Sequence, residues 1–411
     1  MCPHGNDGLQ NLGRTMIRIT VDEKKCLLAQ GKQCKNCILI CPKHVLGIRE
    51  GRIHALRQQE CIACHCCKGT CPQGLDVILV EELSPVTDMD VPTIGPFSET
   101  LKVRVGDLIL PTPLVLASGP IGRCSRGWVD AVAAGCGAVV TKTITPVPWP
   151  GNPAVRILTH QRDSLLNCEG LPNLGAHITA DEVKRLKALG SQFLLIVSIT
   201  AAEEMDFVEM AKLFEDAGAD GLEIAIMGCP NYRPGTVIAD GIWNDDPART
   251  FGLIQAIRKA VTLPLWIKGA QKLEVALACE EAGADALLVR SGSLRAMPLD
   301  PVTGKPLLSH PRGEGSLTGP YTKLPGLKIV ADFARRVKIP IVGNGGITCG
   351  QDVVDYFMAG ASAVELLTVA IRQGLRIVPK IIRETESYLE NHKLKNLAEI
   401  RGKVFRYVDK S

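Results

Sequence analysis

The chain has 411 residues, 46% hydrophobic and 22% charged, with aromatics at only 4% and a formal net charge of +4. These are globular proportions at a length that holds one large domain plus a smaller one. A balance so near neutral gives no electrostatic case for nucleic acid or an anionic membrane, and no apolar run approaches the roughly 18–20 residues that span a bilayer. The N-terminus, Met-Cys-Pro-His-Gly-Asn-Asp, lacks the apolar core of a signal peptide, so a cytoplasmic protein is expected.

Of the sixteen cysteines, ten precede residue 72. Such dense thiols in a chain without a signal peptide point to metal rather than disulfides. They form two runs. One is Cys61-x2-Cys64-x2-Cys67-x3-Cys71-Pro72; the other is Cys26-x7-Cys34-x2-Cys37-x3-Cys41-Pro42, the same run with a longer first interval. Proline after the fourth cysteine stops the chain from continuing as a helix. C-x2-C pairs also suit zinc ribbons, but the doubled x2, x2, x3, Pro pattern favours iron–sulfur clusters. Residues 17–80 resemble the bacterial two-[4Fe–4S] ferredoxins, in which the fourth cysteine of each run crosses to the other cluster. The resemblance implies one cluster on Cys26, Cys34, Cys37 and Cys71, and a second on Cys61, Cys64, Cys67 and Cys41. Cys2 and Cys66 fall outside both sets. Residues 1–83 are thus read as a small α+β ferredoxin-like domain, and the proline-rich stretch 84–100 as a linker.

Residues 101–395 carry a repeated signal. Ala134-Gly-Cys-Gly, Ala217-Gly-Ala-Asp, Ala282-Gly-Ala-Asp and Ala359-Gly-Ala-Ser each end a helical pattern with glycine and lead into an apolar strand. Two more strands enter through proline, at Leu263-Pro264 and Ile339-Pro340, and Leu114–Ala117 and Phe193–Ser198 complete eight. Eight alternating β/α units over about 280 residues predict a (β/α)8 TIM barrel. A doubly wound sheet competes, but the chain has no G-x-G-x-x-G fingerprint.

Barrel chemistry sits at the carboxyl ends of the strands. Those ends carry Ala117-Ser118-Gly119, Lys142-Thr143, Cys229-Pro-Asn231, Lys268, Arg290-Ser291, Gly343-Asn-Gly-Gly346 and Thr368, with Asn167–Asn173 and Gly315–Gly319 in loops. Two lysines opposite a phosphate-type glycine run suit a flavin. Cys229, at the end of the apolar run Leu222–Ile226, reads either as a small buried thiol or as a catalytic group.

As a set, these motifs resemble the dihydroorotate dehydrogenase family, including the barrel of dihydropyrimidine dehydrogenase, over residues 101–402. The resemblance implies FMN held by Ala117, Ser118, Lys142, Thr143, Asn167, Lys268, Ser291, Gly319, Gly345, Gly346 and Thr368. It also implies Cys229 as general acid/base with Lys142 beside it, and a substrate flanked by Asn167, Glu169, Gly170, Leu171, Asn231 and Arg290. Four departures stand out. Ile226 and Gly228 stand where the family writes asparagine and serine before Cys-Pro-Asn, Arg290 stands where it writes asparagine, Cys168 and Glu169 replace a serine and a hydrophobic residue in the second loop, and Leu367 replaces a glycine at the phosphate pocket. A pyrimidine facing Ile226 instead of an amide would leave polar edges unpaired at roughly 1–3 kcal/mol per group. Dihydroorotate and uracil are therefore not the expected substrates.

The expected reaction is hydride transfer between FMN and one carbon of a C–C double bond, with Cys229 handling the proton on the neighbouring carbon. The clusters would relay electrons to a ferredoxin or a separate NAD(P)H-oxidising flavoprotein subunit, and an oligomer is expected. Arg290 either meets an anionic or carbonyl group of the substrate or forms an ion pair with Glu169. Two other functions compete: a tRNA-dihydrouridine synthase-like reductase, which shares Gly-Cys-Pro after strand 4, and a non-catalytic electron-transfer subunit. The tail, residues 396–411, has no assigned role.

Overall fold

The computed structural model describes residues 17–82, 97–161, 163–190, 193–227, 243–290 and 294–408. Its larger part is a closed barrel of eight parallel strands. In chain order they are β1 (Leu114–Leu116), β2 (Ala138–Val140), β3 (Leu194–Ile199), β4 (Gly221–Ala225), β5 (Leu265–Lys268), β6 (Ala286–Arg290), β7 (Ile341–Asn344) and β8 (Ala363–Leu366). A helix follows each strand, and β8 pairs with β1 to close the ring. The (β/α)8 expectation is met.

The repeated Ala-Gly segments explain how helices return to strands. At Gly135, Gly218, Gly283 and Gly360 the backbone takes φ of +108°, +88°, +96° and +114°, where a side chain is strained. At Gly135 the amide donates to Val132 O and that of Cys136 to Ala131 O; the same pair of bonds recurs at the other three glycines. Each helix thus ends in a Schellman turn that aims the chain at the next strand.

Alternation sorts the strand residues into two cores. Val115, Ala138, Val140, Ile196, Trp266, Ala286, Leu288, Val342 and Ala363 fill the interior. The hairpin Val103–Val105/Leu108–Leu110 closes the amino end by adding Val105 and Leu110 to that cluster. The opposite set, including Leu114, Leu116, Val139, Leu222, Ile224 and Ile226, packs outward against the helices.

At the carboxyl end, loops after β2 and β6 build a four-stranded antiparallel sheet in the order Leu294–Ala296, Gly315–Thr318, Ser164–Asn167, Ile157–His160. Residues 17–82 lie against this end. Ile17–Val21 pairs antiparallel with Ile78–Glu82, and short helices Asn36–Ile40 and Cys66–Gly69 stop at Cys41-Pro42 and just before Cys71-Pro72. Ile40, Ile62 and Cys66 join the barrel's large apolar cluster. Lys43 pairs with Asp130 at 2.8 Å, the Arg156 amide donates to Gly69 O at 2.8 Å, and Arg372 donates to Leu39 O at 3.2 Å. The tail also packs on the barrel: Leu397 and Ile400 are fully buried, and Arg401 donates to Ser362 Oγ at 2.9 Å. Among the described residues no helix is long and apolar enough to cross a membrane.

Gly374 sits at this junction with φ +79°, and a Cβ there would lie 2.7 Å from Pro42 O. Gly374→Ala is expected to cost about 1–3 kcal/mol through strain and overpacking. A lowered Tm with faster proteolysis of the 17–82 segment would show it; an unchanged profile would mean that the junction yields freely.

Candidate active site

The barrel mouth is defined by two buried lysines. Lys142, two residues beyond β2, has its Nζ 2.9 Å from Glu169 Oε2, with side-chain exposures of 7% and 13%. Lys268, the last residue of β5, has its Nζ 3.0 Å from Glu223 Oε1, with exposures of 12% and 0%. Each lysine is thus matched by one carboxylate, whose attraction offsets the cost of taking the ammonium out of water. Glu169 has Lys142 as an ion-pair partner, and the expected alternative of a pair with Arg290 falls outside the described residues. Arg290 ends β6, and its side chain lies outside the described residues, as do Ser291, Cys229 and Asn231.

Hydroxyls and backbone complete the rim. Ser118 Oγ lies 2.8 Å from Thr143 Oγ1, which lies 2.9 Å from Ser198 Oγ inside the barrel. The Ala117 amide donates to Leu366 O, tying β1 to β8. Asn167 Nδ2 donates to Ser316 O at 3.4 Å, and Thr368 Oγ1 donates to Thr318 Oγ1 at 3.0 Å. Gly319, Gly345 and Gly346 have φ of +113°, +125° and +71°. A side chain on Gly319 would strike Ser164, and one on Gly346 would strike the Lys323 backbone, so both turns need glycine. Leu367 lies across Gly119, so close that a Cβ on Gly119 would collide with it.

The 167–173 loop is held rigidly. Leu171 takes φ +58°, and its carbonyl accepts from Asn173 Nδ2 at 2.9 Å. Asn173 also donates to Thr145 Oγ1 and accepts from the Gly175 amide. Trp149 Nε1 donates to Gly170 O at 2.9 Å. Asn167, Glu169, Gly170 and Leu171 are thereby presented together beside Lys142.

One expectation is overturned. Ile226 does not face the mouth; it is fully buried in the outer layer with Leu222 and Ile224. Strand alternation instead puts Ala225 above Glu223 on the inward side. The inward position still offers no amide.

The eight cysteines of the two runs line two cavities. Cys41, Cys61, Cys64 and Cys67 surround about 350 Å³ of space between atoms, and Cys26, Cys34, Cys37 and Cys71 surround about 360 Å³. Apolar side chains form most of the remaining walls, among them Ile19, Ile62 and Val80 in the first, beside Lys43 and His65, and Val21, Ile53 and Ile78 in the second, beside Asn36 and Gln73. Burial and then the neighbouring Cys34, Cys71 and Cys26 push the Cys37 thiol up to about 12. The donor set fits a multi-iron cluster bound by thiolates, which such a centre would deprotonate outright. Among the described residues no three His, Cys, Asp or Glu side chains converge as they would on a single metal ion.

The first cavity is the one beside the barrel mouth. Glu169, the partner of Lys142, acts electrostatically on both Cys64 and Cys66. Cys66 is itself buried against the barrel and absent from both cavity walls. His65, in the same wall, takes φ +58°; burial first, then Arg123, Lys68 and Arg156, drives its imidazole far below the usual range.

Sequence reasoning missed the polar layer inside the barrel: Ser198, Glu223, Asn344 and Glu365. The available signal was a glutamate inside an apolar strand, in Leu222-Glu-Ile224 and again in Val364-Glu-Leu366.

Comparison with known proteins bears on the barrel. The family described as dihydroorotate dehydrogenase matches residues 100–389. Among relatives, the "Dihydroorotate dehydrogenase B (NAD(+)), catalytic subunit" of Thermococcus kodakarensis is 32% identical over 308 residues, 74% of this chain and 97% of that one. Its namesakes from Methanothermobacter thermautotrophicus and Methanocaldococcus jannaschii are 31% and 32% identical over 308 and 311 residues, again 74% of this chain and 97% of theirs. Those relatives are matched almost end to end, and about a quarter of this chain lies outside the alignment. The chain therefore belongs to the dihydroorotate dehydrogenase family of FMN-dependent oxidoreductases acting on CH–CH groups.

Proposed function

We propose that this chain is an iron–sulfur flavoprotein oxidoreductase. It exchanges hydride between FMN at the barrel mouth and one carbon of a C–C double bond, and passes electrons through two [4Fe–4S] clusters in residues 17–82 to or from an external partner. The observation that carries this reading is the sorting of eight cysteines into two four-cysteine cavities, one of them beside the Lys142–Glu169 pair. Bound FMN would supply the two-electron chemistry, and clusters that take one electron each would connect it to a one-electron carrier.

The chain's own residues divide the remaining work. Lys142 and Lys268 hold positive charge where a ring becomes electron-rich; Ala117, Ser118, Thr143, Asn167 and Ser291 orient it. Gly319, Gly345, Gly346 and Thr368 bring backbone and a hydroxyl to a phosphate. Cys229 Sγ would hold or take the proton, with Asn231, Arg290, Glu169, Gly170 and Leu171 around the substrate. Ala225 in the inward position removes an amide that could pair with a pyrimidine edge, which favours a substrate other than dihydroorotate. The partner is a ferredoxin or a NAD(P)H-oxidising flavoprotein subunit, because the chain has no dinucleotide fingerprint. Residues 1–83 and 101–395 would be the electron-transfer and catalytic domains.

Anaerobically purified chain is expected to carry about eight iron atoms and, after reduction with dithionite, to show two [4Fe–4S] signals in EPR. Cys34→Ser should remove one signal and Cys61→Ser the other; a single tightly bound zinc would overturn the cluster assignment. Cys229→Ser is expected to slow substrate-dependent flavin reduction or reoxidation by about 10²–10⁴-fold while FMN content stays the same. An unchanged rate would remove Cys229 from the chemistry, and robust NAD(P)H oxidation by the chain alone would refute the need for a partner.

A further inference from the structure

Two carboxyl groups face one another inside the barrel, beneath the mouth. Glu223 on β4 and Glu365 on β8 are 0% and 1% exposed. Glu223 Oε1 accepts from Ser198 Oγ at 2.6 Å and from Lys268 Nζ at 3.0 Å. Glu365 Oε2 accepts from Asn344 Nδ2 at 3.0 Å. The second oxygen of each, Glu223 Oε2 and Glu365 Oε1, is buried with no donor among the described residues. The two side chains are within hydrogen-bonding reach of each other.

As two bare carboxylates this arrangement fails twice: like charges meet in a dry interior, and two buried acceptors go unsatisfied. One proton between them removes both faults. With Lys268 the trio then carries one negative charge, one neutral acid and one positive charge. We propose that Glu365 is a positioning residue: it and Glu223 share a single proton, which leaves Glu223 as the one carboxylate that pins the Lys268 ammonium at the barrel mouth.

Ser198 Oγ lies closer to Glu223 Oε1, at 2.6 Å, than to Thr143 Oγ1, at 2.9 Å, so its single proton goes to the glutamate.

The charged groups that act on Glu365 are Glu223 from β4 and Lys268 from β5, with the Asn344 amide from β7. Burial first, and Glu223 second, raise Glu365 from 4.5 to about 8, and Lys268 and Asn344 oppose them. A carboxyl raised on folding keeps a proton that the unfolded chain has lost. Its contribution to stability is therefore progressively lost as pH rises from the unfolded value through about 8.

The test compares the full chain with Glu365→Gln, which mimics the protonated acid. The two should melt together near pH 5, and the variant should melt several degrees higher at pH 9. At neutral pH the infrared spectrum of the native chain should show a carboxylic-acid C=O band that shifts in D2O and vanishes in the variant. Parallel melting profiles, or no such band in the native chain, would overturn the shared proton; if the variant does not fold, the native band and its loss at high pH decide alone. For the effect on Lys268, quenching of added FMN should weaken with pH in the native chain and stay constant in the variant. Equal pH dependence in both would overturn the positioning role. This last measurement rests on the flavin reading: no quenching by either protein at any pH would refute that reading and leave the shared proton to the band and the melting curves.

Discussion

Buried positive charge is the constraint from which the barrel mouth follows. Lys142 and Lys268 are each nearly sealed from water, and each is kept by one carboxylate, from a loop in one case and from the barrel wall in the other. Removing one partner of such a pair typically costs about 3–5 kcal/mol, because the other charge is left stranded. The loop that carries Glu169 must therefore hold its shape, and the Asn173 bonds and the Trp149 bond to Gly170 do that. The wall that carries Glu223 must in turn accommodate a second acid, Glu365. Packing of the interior, rigidity of the loop and the charge offered to a ligand are consequences of the same pair of ammonium groups.

The same loop also joins the two parts of the molecule. Glu169 faces Lys142 on one side and the Cys64–Cys66 turn on the other. The Arg156 amide, from the adjacent strand segment, caps the end of the helix Cys66–Gly69 through Gly69 O. Electrostatic change at the barrel mouth and at the cysteine cavity beside it is felt by one carboxylate. Cys37 of the second set acts in turn on Cys67 of the first, so the two cavities adjoin.

The barrel was legible because its signals are local and repeated. Four Ala-Gly segments announce four Schellman turns, and the apolar runs after them have nowhere to go but into a parallel ring. The cysteine sets were legible because thiol spacing is a strong constraint on its own. What stayed hidden depends on which way a side chain points or on contacts between distant segments. Ile226 and Ala225 differ by one position, and in a strand one position reverses the face; spacing from Cys229 selected the wrong one. Glu223 and Glu365 are 142 residues apart, and only barrel closure brings them together. Glu169 was recognised as a site residue, but its partner was not, because a loop's path sets that contact.

The junction at Gly374 has a temporal consequence. The cysteine-bearing segment docks through Leu39 and Pro42 onto Arg372 and Gly374, more than 300 residues later in the chain. During synthesis the first unit emerges with Ile40, Ile62 and Cys66 uncovered, and the last barrel helices that complete its seat are made near the end. Folding of the cysteine-bearing segment can therefore precede docking, whereas burial of the cavity beside Glu169 has to wait until nearly the whole barrel has been translated. Assembly of the two parts is ordered by chain position, with the thiols accessible first and enclosed last.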